Sequence, residues 1–250
     1  MTDNGDTKNI IPENLALLHH GEEGLRAKAL ALVANDDRMA LHLNVVERAM
    51  DLSDVLRQYN TDDEDLKVIQ MLGMRIFNAF GASIKLAFSG YSQNSALIMR
   101  DILETVFLLD LFQSDHTQIE QWRFADETTI WKKFSPARVR EKLDKRDGFT
   151  EKKRAEAYKM FSELAGHPTM KSHYMLRPHK EGDAFIGPFI EEGTILATVS
   201  EMGRLAFQVG EMLGAFYPGS WTDGVETRAA FEKVKLQWFT TFYPKASTSP

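Results

Sequence analysis

The sequence predicts an all-α protein, a multi-helix bundle with a small extended or β-hairpin insert near residues 173–190. Three observations carry that prediction. Apolar residues recur every three to four positions over most of residues 12–166, the spacing of helices with one buried face. Within that span SQNSALIMRDILETVFLLDLFQ, residues 92–113, is apolar nearly all round, as a helix at the centre of a bundle must be. Past Gly166 the pattern turns to alternation broken by Gly and Pro, and helical spacing returns only near residue 194.

In RMALHLNVVERAMDLSDVLRQY, residues 38–59, Met39, Leu43, Val46, Met50 and Leu56 form one stripe that Val45, Ala49, Leu52 and Val55 widen. NTDDED follows, where Thr61 or Asp62 is expected to cap the next helix and the acidic residues suit its positive end. That helix, residues 64–90, aligns Leu66, Ile69, Leu72, Ile76, Phe80, Ile84 and Ala87, and Gly90 closes it. The central helix carries Arg100, Asp101, Glu104 and Asp110, which marks it as a bundle helix and not a membrane span. Shorter amphipathic pieces come next: residues 118–134, then SPARVREKLDKR with Ser135 as cap and Pro136 in its first turn. TEKKRAEAYKMFSELAG follows, with Thr150 as cap and Gly166 and Pro168 as its stop. In the insert Tyr174 and Leu176 alternate, residues 181–183 make a turn, and Phe185, Ile186, Phe189 and Ile190 flank Pro188 on an extended edge. Two helices, residues 194–217 and 222–243, complete the pattern. Residues 1–11 and 244–250 read as flexible ends of a single helical domain spanning residues 12–243.

Composition narrows the chemistry. The 250 residues include no cysteine, so disulfides, thiolate metal sites and cysteine nucleophiles are excluded. No signal-peptide pattern opens the chain and no stretch approaches the roughly 18 apolar residues of a membrane span. A cytoplasmic protein with no membrane partner is expected. The sequence lacks GxSxG, GK[ST], HExxH and GxGxxG, which weakens hydrolase, kinase, zincin and dinucleotide-binding readings. The formal charge is −6, unevenly spread: residues 1–65 hold 14 acidic and 6 basic side chains, residues 132–159 hold 11 basic and 5 acidic. Lys132, Lys133, Arg138, Arg140, Lys152, Lys153 and Arg154 form a candidate phosphate-binding patch. The favoured reading of that block is a solvated helix face, because acidic residues interleave with the basic ones and the aromatics of single-strand binding are sparse.

Arg100 and Glu104 sit one turn apart on the most apolar helix, so their heads share a face and need partners. Either they form a salt bridge that orients the helix, or they line a polar pocket for an anion. Asp101 and Asp110 lie off that face and are expected at the surface. His167 follows a helix stop, while His173 and His179 fall in the insert at a spacing that Pro178 interrupts, a poor match to a three-histidine zinc site. Glu163 with His167, and His116 with Glu120, miss the Glu-x-x-His spacing of carboxylate-bridged metal bundles. No metal and no cofactor are implied.

Arg100 and Glu104 in SALIMRDILETVFLLDLF, Ser162, His167 and Pro168 around FSELAGHPT, and Ile186, Gly187 and Pro188 in AFIGPFIEEG follow one another in a recognisable order. Over roughly residues 70–215 the chain resembles a group of uncharacterised bacterial helical proteins that is loosely HEPN-like. The resemblance implies an all-helical fold that brings polar residues from two sequence regions together. Ribonuclease activity is not implied: HEPN ribonucleases place four to six residues between Arg and His, whereas Arg38 and His42 have three between them and Arg177 and His179 one. If the helix ending at His167 packs on the Arg100 helix, then Arg100, Glu104 and His167 meet in one polar cluster. The expected function is a helical module that binds a small anionic ligand or a protein partner. Its rivals are a HEPN-like nucleic-acid-processing protein and a metal-dependent hydrolase. Phe231, Leu236, Trp238 and Phe239 are expected to leave apolar surface that favours a homodimer.

Overall fold

A computed structural model describes residues 11–177, 182–219 and 221–244. The chain runs through α1 (Glu13–Ala34), α2 (Asp37–Leu56), α3 (Glu64–Phe88), α4 (Ser92–Ser114), α5 (Thr117–Arg123) and α6 (Glu127–Thr129). A π turn (Ile130–Phe134) continues α6 and leads to α7 (Pro136–Arg146). Then α8 (Lys153–Phe161) widens into a second π turn (Ser162–Gly166), followed by a 3-10 turn (Ser172–Leu176), α9 (Glu192–Gly214) and α10 (Thr222–Phe242). The protein is an all-α multi-helix bundle. Among the described residues no helix is long and apolar enough to cross a membrane.

The largely apolar helix α4 is the centre, packed against α3, α9, α7 and the second π turn. Its Ile102, Leu109 and Phe112 are fully buried, as are Ile69, Ile76 and Phe80 on α3. At the α3–α4 seam the hydroxyls of Ser83 and Ser95, both fully buried, lie 2.8 Å apart and satisfy each other. On the other side α2 packs broadly on α9 and α10. Gly203 of α9 admits the His42 ring of α2, and Gly210 of α9 admits the Phe231 ring of α10; a Cβ at either glycine would collide with it. Helix α1 is different. Only Ala29 along it is fully buried, Leu25, Leu32 and Val33 are half-buried, and residues 13–21 are exposed throughout. Its last tether before that exposed half is Glu22, which accepts a 2.7 Å hydrogen bond from the Tyr91 hydroxyl.

Several expectations need correction. Asp63, and not Thr61 or Asp62, caps α3 by accepting from the amides of Asp65 and Leu66 at 2.9 and 3.2 Å; the Thr61 hydroxyl oxygen instead accepts from the Asp63 amide. Ser135 makes no capping bond, and α8 begins after Lys152 because a turn between the Lys153 amide and the Glu151 carbonyl delays it past Thr150. The insert is not a hairpin. Its 172–176 segment coils because the Ser172 amide and hydroxyl both donate to the Thr169 carbonyl. One backbone bond, Phe185 to Leu176, is all that links its two sides among the described residues, and residues 178–181 lie outside them. The returning segment docks instead on Gly90, whose φ of +90° closes α3 and whose carbonyl accepts from the Phe189 amide at 3.2 Å. Phe231 and Trp238 are core residues, 2% and 3% exposed; of the four residues assigned to a dimer face only Leu236 and Phe239 are exposed. Residues 1–10 and 245–250 lie outside the described residues.

Candidate functional site

The structure joins Arg100 to Glu104 and leaves His167 apart. Arg100 Nε lies 3.5 Å from Glu104 Oε1, both side chains about one-quarter exposed (24% and 26%). Tyr158 of α8 completes the group: its hydroxyl bonds to Glu104, and the guanidinium carbons of Arg140 and Arg100 lie 4.0 and 5.7 Å from its ring centre. Burial pushes the Glu104 carboxyl above its ordinary range, opposed by Arg100 and Tyr158. The second π turn shapes the far side. Arg100 Nη1 occupies the space a Cβ at residue 166 would take, so a larger residue there has to push the guanidinium aside. The π-turn hydrogen bond that the His167 amide donates to the Ser162 carbonyl, 3.0 Å, ends the helix, after which His167 turns to extended backbone and an exposed position. Among the described residues no hydrogen bond or ion pair links its ring to Glu104. The expected triad is therefore a pair with Tyr158 and Arg140 as its neighbours.

The basic block is dispersed. Arg138 pairs with Glu141 at 2.7 Å and Lys153 with Glu151 at 3.0 Å. Arg154, 15% exposed, turns inward to Asp144, Asp147 and Asp110, and Arg140 lies on Tyr158. Lys132, Lys133 and Lys152 remain exposed. Asp110 is not at the surface as expected: it is 17% exposed and bonded to Arg146 at 2.6 Å. Asp101, 37% exposed, pairs with Arg75. Among the described residues no group of three or more His, Asp or Glu is placed to hold a metal ion; His173 stacks on Tyr174, and His179 lies outside those residues.

The most developed site is one the sequence left unassigned. A cleft of about 660 Å³ opens between α2, α9 and α10, lined by Arg38, His42, Ser200, Arg204, Trp238 and Phe242 among others. His42 is 3% exposed. The Trp238 indole N–H, which can only donate, reaches His42 Nδ1 at 2.8 Å. The imidazole proton therefore resides on Nε2. Burial pushes the His42 pKa down to about 4, with Arg204 and Arg38 adding to the effect and Asp36 opposing it, so the ring is neutral at pH 7. Phe242 stacks on the ring with 4.1 Å between centroids, and the Arg38 guanidinium lies 5.1 Å from the Phe242 centroid. His42 Nε2 has no hydrogen-bond partner among the described residues, and the cleft is where it can find one. Asp36 is committed to capping α2 through the Arg38 and Met39 amides, and Arg204 pairs with Glu201.

One hint of His42 was legible: it stands one turn after Met39 inside the apolar stripe of α2, where a polar ring must find a partner. The partner, Trp238, is 196 positions away and no local pattern points to it. Across α9 lies a second cleft, of about 860 Å³, lined largely by Ala96, Met99, Met160, Phe161, Leu164 and Met175, with Arg177 as its cation. Among the described residues Arg177 Nε is buried without a hydrogen-bond partner. Comparison of the chain with family models, with curated proteins and with solved structures gives no match.

Proposed function

We propose that this protein is a small-molecule binding module whose ligand carries an oxyanion, a carboxylate or a phosphate, seated in the His42 cleft. One observation carries the reading: a buried, neutral imidazole whose Nδ1 is occupied by Trp238 presents an unpartnered Nε2–H beside two guanidiniums. Neutral histidine donates without adding charge, while Arg38 and Arg204 supply the counter-charge. The cleft volume falls in the range of small-ligand sites. Nucleic-acid processing draws less support, because four of the seven basic residues assigned to phosphate are turned to carboxylates or to Tyr158.

The test is calorimetric titration with inorganic phosphate and with benzoate, using benzamide as the neutral control. Both anions bind and benzamide does not. Arg38→Ala, at an exposed position, weakens anion binding about tenfold or more, the worth of one charge-assisted hydrogen bond. Equal affinity for benzoate and benzamide, or an unchanged Arg38→Ala protein, rules the reading out.

A further inference from the structure

The two clefts flank the first turns of α9 and share a wall. Gly193 and Ala197, one helical turn apart, line both, and both are exposed. Neither carries a side chain large enough to build a ridge, so the wall between the clefts is a low saddle. Their chemistries are complementary. The first offers guanidinium and imidazole donors. The second offers an apolar surface rich in methionine, a side chain that adapts to flexible apolar shapes.

We infer that the ligand is a single-chain amphiphile: an oxyanion head held by Arg38, Arg204 and His42, and an alkyl chain that crosses Gly193 and Ala197 into the methionine-lined cleft. This rests on the oxyanion reading above and names its ligand class. The polar groups along the chain's route are already engaged. Thr198 donates to the Thr194 carbonyl at 2.7 Å, Glu191 accepts from the Gly193 and Thr194 amides and the Thr194 hydroxyl, and Glu201 pairs with Arg204. A chain passing there displaces none of these bonds. Arg177 is the rival seat for the head, since its Nε, in the apolar cleft, lacks a partner among the described residues.

The experiment is a titration series of butyl, hexyl, octyl and decyl phosphate, each kept below its micelle concentration. Affinity rises about fourfold per added methylene until the second cleft is filled. Ala197→Trp, which raises the exposed saddle, flattens the series. Met160→Lys, 38% exposed and therefore tolerant of charge, lowers decyl but not butyl phosphate affinity. Chain-length-independent binding to the unmodified protein overturns the amphiphile and leaves the oxyanion site standing. A series that stays steep in both variants also overturns it, as does binding lost in Arg177→Met and retained in Arg38→Ala. Failure of both inorganic and butyl phosphate to bind sinks the oxyanion reading itself, and the amphiphile with it.

Discussion

At the scale of single residues His42 is the most consequential side chain, because its position fixes both a tautomer and a charge state. Its folded pKa of about 4 lies below its ordinary value of 6.5. Between those two values the unfolded chain takes up the proton and the folded chain does not, so stability falls as pH drops through that window and is flat above it. The full loss is about 3 kcal/mol, reached once the pH is below the folded value. Urea midpoints measured from pH 7.5 to pH 4 show this decline, and His42→Gln, which keeps an acceptor for Trp238, lacks that part of it. Equal slopes in the two proteins place the decline on other groups. Arg100 and Glu104 were readable from sequence because two charges one turn apart on an apolar helix must face one another. The departure of His167 was not readable, since it depends on how many residues the preceding turn consumes.

At the scale of elements, the helices were legible wherever a periodic apolar stripe met a capping residue, as in α2, α3 and α9. Their ends shifted by a residue or more where several polar residues stood side by side, as Thr61, Asp62 and Asp63 do. The two π turns left no such mark. One extra residue in a single turn does not alter the residue types, and what holds the second π turn comes from elsewhere in the chain: Gln93 donates to the Leu164 carbonyl at 3.2 Å, and Arg100 fills the space beside Gly166. That contact is testable as a coupling. Gly166→Ala forces the Arg100 guanidinium aside and destabilises the protein by about 1 kcal/mol, the low end for overpacking, because the displaced group ends a flexible side chain. The same change made in an Arg100→Ala background is neutral or stabilising, because alanine outranks glycine in a helical turn once the guanidinium is gone. Additive effects across the double-mutant cycle mean that Arg100 is not the obstacle.

At the scale of the whole molecule, the all-α class followed from apolar residues recurring every three to four positions, and the insert shows the limit of reading patterns alone. Alternation over 173–190 reads as a strand only if a neighbouring strand accepts its amides. Here the Phe189 amide goes to Gly90 and the Ser172 amide to its own turn, so no ladder forms among the described residues. The centre of the bundle was visible in α4, but the clefts on either side of α9 arise where helices distant in sequence cross, and no single segment encodes them. A gradient of support along α1 follows from the same assembly. Its amides from Ala29 onward are held by packing, whereas those before Glu22 belong to turns whose side chains are exposed. Native-state deuterium exchange therefore separates α1 into a fast half and a slow half, with Tyr91→Phe shifting the boundary toward Ala29. Uniform exchange along the helix contradicts this. One continuous helix thus keeps two times: its first turns open and close on the schedule of an isolated peptide, and its last turns wait for the rest of the molecule.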